Sequence, residues 1–235
     1  MSQIIHRSRE RGIAEHGWLH SRFSFSFAEY HNPNRMGFGA LRVINDDVIE
    51  AGMGFPMHPH KNMEIVSIVT RGALEHRDSE GNRGVIEAGQ IQYMSAGSGV
   101  FHSEYATPQA DAHLFQIWIH PSRKGGAPLY DNRDFSDIDQ SNRWAVLVSG
   151  DGKENSIRIR QNAAIYSTGL DANRDIAVPK VQPGHGRLLL VIEGSVTIAG
   201  HVLEARDEIQ ITDEEEYILR ALSPAKVLLF DVSMH

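Results

Sequence analysis

The chain has 235 residues, 41% hydrophobic and 23% charged, a globular composition that excludes a chain too polar to bury a core. A formal net charge of -7 offers no electrostatic attraction toward nucleic acid or anionic lipid. With no cysteine, disulfides, thiolate metal sites and a cysteine nucleophile are excluded.

From the N-terminus, residues 1–18 lack the apolar core of a secretion signal, and no run reaches the ~20 apolar residues of a membrane helix. A cytoplasmic protein with no membrane contact and no direct nucleic-acid binding is expected. Residues 8–19 carry the pattern of a short helix. Short β-branched and aromatic runs follow at 40–44, 65–69, 91–94, 114–119, 145–148, 156–160, 188–192 and 226–232. They are separated by Gly, Pro, Asn or Asp and read as strands. One more helical turn is expected at 137–144. Charged and turn-forming residues crowd 122–142, which places a connector between an N-terminal domain, 1–130, and a C-terminal domain, 131–235. The whole pattern predicts an all-β sandwich or barrel.

The two halves resemble each other. EIVSIVTRGALEHRD (64–78) has the outline of GRLLLVIEGSVTIAG (186–200), and VIEAGQIQYMS (85–95) that of VLEARDEIQIT (202–212). Two similar patches in the same order predict a duplicated barrel.

Ten of the 13 histidines lie in the first 120 residues. Most of them, including His76 and His113, read as surface or satisfied core residues. The informative ones come in pairs. In a strand, residues i and i+2 share a face, so His58 and His60 project into one space, as do His102 and Glu104. Glycines flank both pairs, with Gly97 and Gly99 just ahead of the second, and they allow tight turns beside a ligand sphere. Three imidazoles and a carboxylate around one point suit Fe(II), Mn(II), Co(II), Ni(II), Cu(II) or Zn(II). Burying them without a metal would demand many compensating hydrogen bonds. Glu64, four residues after His60, is expected beside the site, orienting an imidazole N–H. Aligned with the first half, the second half offers Lys180, Gln182, Arg220 and Leu222 at the ligand positions, which is not a metal site. The eight candidate walls of an aromatic pocket are Phe25, Phe27, Met36, Phe38, Phe55, Tyr93, Phe101 and Phe115.

Four segments, FSFAEYHNPNRMGFGALRVINDD (25–47), HPHKNMEIV (58–66), MSAGSGVFHSEY (94–105) and HLFQIWIHP (113–121), resemble the pirin family, and within it the bacterial pirin-like quercetin 2,3-dioxygenases. The resemblance implies a bicupin: two cupin β-barrels packed face to face, the N-terminal one holding iron and the C-terminal one degenerate and without metal. It also gives His58, His60, His102 and Glu104 as the ligands, with Fe(II) foremost. It implies a dioxygenase that opens the heterocycle of a flavonol with dioxygen and releases carbon monoxide, Glu104 accepting the substrate's hydroxyl proton. Two readings stay open beside it. One is a metal-binding regulatory module that docks on a protein partner. The other is a metal-dependent isomerase or hydrolase, since one fold supports many chemistries.

Overall fold

The computed structural model describes residues 3–235. Strands make up almost all of the regular structure. β1 (Gln3–His6) leads the chain. β2 (Gly12–Glu15), β3 (Leu19–Phe23), β4 (Leu41–Ile49), β5 (Gly54–His60), β6 (Glu64–Arg71), β7 (Ala73–Asp78), β8 (Arg83–Glu87), β9 (Gln90–Ser95), β10 (Val100–Ala106), β11 (Ala112–Ile119) and β12 (Leu129–Asp134) build one unit. β13 (Ala145–Ser149), β14 (Ile157–Arg158), β15 (Ala163–Leu170), β16 (Asp175–Ala177), β17 (His185–Glu193), β18 (Ser195–Ile198), β19 (His201–Glu204), β20 (Glu208–Ile211), β21 (Ile218–Ala221) and β22 (Ala225–Ser233) build the other.

In the first unit, a sheet ordered β12-β9-β6-β11-β4-β3-β2 accompanies a smaller one ordered β5-β10-β7-β8. The second unit repeats this plan, with β1-β20-β17-β22-β15-β13-β14 and β16-β21-β18-β19. Its strands pair in the same sequence except at one edge, where β14 follows β13 and pairs with it in parallel while β2 precedes β3 and pairs antiparallel, so the duplication expected from the two similar patches extends to most of the topology. The turn glycines match as well. Gly72 and Gly194 end equivalent strands at φ of 68° and 75°. A Cβ on either would sit 2.2 Å from Asp111 O or 2.0 Å from Pro224 O, contacts no side chain tolerates.

Two expectations are corrected. Residues 8–19 are not helical: after a single 3₁₀ turn at Ser8–Glu10 the chain runs into β2 and β3. Gly17, at φ 80°, makes the hairpin between them, and Gly12 passes so close to the Tyr30 ring that a Cβ would collide with it. Residues 137–144 form turns without a helix. The chain forms two compact units. One contains Gly12–Asp137 with Ile159–Gln161, and the N-terminal segment through Arg11 goes with the other. The reason lies at the sheet edge. β12 covers β9, but the equivalent strand β20 has no such neighbour in its own half, and β1 fills that place in antiparallel register, Gln3 opposite Ile211 and His6 opposite Glu208.

The first unit's core includes Leu19, Ile49, Val69, Leu74, Ile86 and Leu114, with Ile65, Met94 and Val100 in a second cluster. Each such side chain contributes roughly 1.5–3 kcal/mol by leaving water. Between these apolar layers runs a polar row. Gln92, Ser67, Gln116 and Asn45 are consecutive register partners on β9, β6, β11 and β4, so all four face the barrel interior.

Candidate metal centre

His58 and His60 lie on β5, an edge strand whose one hydrogen-bonded neighbour is β10. Strand alternation puts both rings on the interior face. β10 carries His102 directly opposite His58 in the register. Ring centroids lie 4.9 Å apart for His58 and His60, 4.5 Å for His58 and His102, and 4.9 Å for His60 and His102. One nitrogen from each ring falls within 4.8 Å of the others, a three-imidazole cluster.

Glu104 sits beyond an irregularity in β10 and pairs with Phe55 on one side and His76 on the other. Its buried carboxylate rests on the polar row. Oε1 accepts the Gln92 amide at 2.7 Å and the Ser67 hydroxyl at 3.3 Å, and Oε2 accepts the Gln116 amide at 2.8 Å. Among the described residues, the group formed by the three imidazoles does not include Glu104. Glu104 forms a second group of potential ligands with His102 and His76.

Glu64 is placed differently from the expectation. It is buried, and its carboxylate accepts from the Tyr93 hydroxyl, from the Ser95 hydroxyl at 2.7 Å and from the Arg160 backbone N–H at 2.9 Å. None of these is an imidazole. The same-face argument assumed one strand from His58 to Glu64, but the chain turns at Asn62, φ 53°, and starts β6 afresh. Ser67 faces the interior, so Glu64, three residues earlier, faces the opposite side of the sheet.

His60 and His102 are prepared as neutral donors. Burial, reinforced by the neighbouring imidazoles, pushes the His102 pKa down to about 3 and that of His60 to about 4. His58 Nδ1 lies 2.8 Å from the Pro56 carbonyl, to which it donates, and this leaves the Nε2 lone pair free. Neither ring nitrogen of His102, a residue 1% exposed, has a hydrogen-bond partner. A buried polar atom left so costs about 1–3 kcal/mol, and a divalent transition ion bound by nitrogen would relieve it. The donor set fits such an ion.

A cavity of about 660 Å³ opens onto these side chains. His58, His60, His102, Glu104 and Gln116, with Asn45, Asp47, Ser21 and His16, form its polar part, and Trp18, Leu19, Phe23, Phe27, Phe55, Ile65 and Trp118 line its apolar walls. Of the eight expected wall residues, Phe27 and Phe55 line it. Phe101 and Met36 are exposed, Phe115 and Tyr93 alternate with the inward Gln116 and Gln92 and so face away, and Phe25 and Phe38 are buried outside the lining. Sequence reasoning missed His76, Gln92, Gln116, Trp18, Phe23 and Trp118. His76 alone had a signal: with Gly72 set against Gly194 it falls opposite Ile198, which is buried in the second unit.

In that second unit the register puts Val178, Ile198, Tyr217 and Leu219 at the places of His58, His76, His102 and Glu104. All four belong to one apolar cluster, so donors give way to ordinary core. The positions earlier read by spacing, Arg220 and Leu222, lie three residues too far along the strand.

Residues 5–119 match the family model described as Pirin, and residues 146–232 match that of the quercetinase C-terminal cupin domain. The chain is 42% identical to the quercetin 2,3-dioxygenase of Escherichia coli K12 over 229 residues, 97% of either chain. It is 41% identical to a pirin-like protein of Caulobacter vibrioides, across 94% of this chain and 96% of that one. The structure of the E. coli pirin YhhW in complex with nickel(II) superposes with a TM-score of 0.93 at 41% identity, covering 98% of this chain and 99% of the other. With a family model on each half and nearly the full length aligned to these relatives, the chain belongs to the pirin family of two-cupin-domain proteins.

Proposed function

We propose that this chain is a metal-dependent dioxygenase of the quercetin 2,3-dioxygenase type, with His58, His60, His102 and Glu104 as ligands of one divalent transition metal, Fe(II) foremost. The observation that carries the reading is three imidazoles converging on one point at the polar end of an aromatic-walled cavity. Its volume lies within the range of sites for drug-sized aromatic ligands. The name of the E. coli relative supports the substrate class.

When bound, the metal supplies a Lewis-acidic position for the substrate oxygen and an electron path toward dioxygen. The remaining work falls to the chain. Trp18, Phe23, Phe27, Phe55 and Trp118 sandwich the flat rings and exclude water. Glu104 accepts the proton of the flavonol 3-hydroxyl: the O–H bond breaks, the proton moves to a carboxylate oxygen, and an electron-rich enolate remains for attack by dioxygen. Gln92, Gln116 and Ser67 hold that carboxylate in place.

The test is to load the protein separately with Fe(II), Mn(II), Ni(II), Co(II) and Cu(II), add quercetin in air, and follow its visible absorbance, oxygen uptake and carbon monoxide release. Loss of absorbance coupled to equimolar oxygen uptake is expected with at least one metal. No turnover with any of them removes the flavonol reading.

A further inference from the structure

His76 has no part in that reading, yet its surroundings are those of a ligand. The residue is 0% exposed, faces Glu104 across the β7–β10 register, and its ring stacks on Tyr130 at 4.7 Å and 20°. Its Nε2 lies 3.4 Å from Asp78 Oδ2. Asp78 is fixed in turn, Oδ1 accepting the backbone N–H groups of Glu80 and Asn82 at 3.0 and 2.9 Å, and Oδ2 the Asn82 amide at 2.8 Å. A carboxylate on Nε2 keeps the ring proton there and leaves Nδ1 as a lone pair, the arrangement found behind metal-bound histidines. That Nδ1 is buried and has no hydrogen-bond partner. His76 also belongs to the group in which it, His102 and Glu104 each offer an atom within 4.8 Å of the others.

We propose that His76, His102 and Glu104 form a second position for a divalent transition ion, more buried than the three-imidazole cluster and held from behind by Asp78. Two nitrogens and a carboxylate oxygen suit Co(II), Ni(II), Cu(II) or Zn(II). His102 serves either position, because neither of its nitrogens is engaged by a protein group. Sharing His102 and Glu104 makes the two positions alternatives. An ion at the buried one leaves His58 and His60, and His76 is not among the side chains that line the aromatic cavity. The buried position therefore draws an ion toward His76, the one of its three ligands outside the cavity lining.

The experiment reads metal binding alone, so it stands or falls apart from the oxygenase proposal. His58 and His60 lie on a partly exposed edge strand, and the double variant H58A/H60A removes the outer cluster without emptying the core. Titrated with Ni(II) in a calorimeter, it is expected to bind one equivalent, and adding His76→Gln is expected to weaken that binding by roughly 10-fold or more. Because a substitution at fully buried His76 can disturb folding, the H58A/H60A protein is also crystallised with Co(II). An anomalous peak about 2.1 Å from His76 Nδ1 is expected. No Ni(II) binding by H58A/H60A, equal binding after His76→Gln, or a Co(II) peak away from His76 would each overturn the proposal.

Discussion

At the scale of single residues, His102 is the pivot of the barrel interior, the one imidazole present in both groups of potential ligands. His102→Ala takes a donor from either, so metal retention measured by elemental analysis after dialysis falls to background. The fold persists, because the substitution also deletes two buried nitrogens without hydrogen-bond partners, and the urea midpoint of the metal-free protein does not fall by what a large core cavity would cost. Tyr93 makes a different statement about pH. Burial, with the Glu64 carboxylate beside it, raises its phenol well above the usual value of 10. Above pH 10 the unfolded chain therefore releases a proton that the folded chain keeps, and stability falls as pH rises through that range, by up to about 1.4 kcal/mol per pH unit for one such group. Urea titrations between pH 9 and 11 on the wild type and Tyr93→Phe isolate this contribution: the variant's stability declines less steeply. Equal slopes would remove Tyr93 as the source.

At the scale of strands and turns, the cost of a glycine depends on what its missing Cβ would meet. Gly72 and Gly52 both have φ near 70°, at 68° and 75°. Around Gly52 a Cβ finds open space, whereas at Gly72 it lies 2.2 Å from the Asp111 carbonyl oxygen. Gly52→Ala is expected to cost only backbone strain, about 1 kcal/mol, and Gly72→Ala well over 2 kcal/mol, as read from urea midpoints. The same level explains what was legible in advance. His58, His60 and His102 could be placed on interior faces because period-two alternation needs no tertiary knowledge within one strand. Glu64 could not, because a turn at Asn62 resets the alternation between it and His60. For His76 the internal repeat gave a hint of burial, but its place opposite Glu104 came from cross-strand register, which sequence spacing does not fix. The aromatic walls failed for the same reason as Glu64: a run such as HLFQIWI announces a strand, but which of Phe115 and Trp118 turns inward depends on where the strand meets its neighbours. The helix expected at 8–19 gave way to a hairpin once Gly12 and Gly17 took their places.

At the scale of the whole chain, duplication accounts for the division of labour. Apart from the β13–β14 edge both units share one strand plan, and the second fills with Val178, Ile198, Tyr217 and Leu219 the positions that carry donors in the first. The repeat is completed by a strand from far away in sequence, since β1 supplies to β20 what β12 supplies to β9. Its attachment is specific as well as extended. Arg7 donates to Asp207 at 2.7 Å, the Gln3 amide donates to the Tyr217 hydroxyl at 2.9 Å, and Ile5 packs against the second unit's core. Removing residues 1–7 therefore strips the covering strand from β20 and exposes a row of unpaired backbone groups. The truncated chain is expected to unfold at lower urea and to self-associate on size-exclusion chromatography as its concentration rises. Its Ni(II) stoichiometry is expected to stay that of the full chain, because every proposed ligand lies between His58 and Glu104, on strands of the other sheet pair. A truncated protein that stayed monomeric with an unchanged midpoint would show that β1 contributes nothing to the second barrel, and loss of Ni(II) binding would show that the two units are not independent in holding the metal.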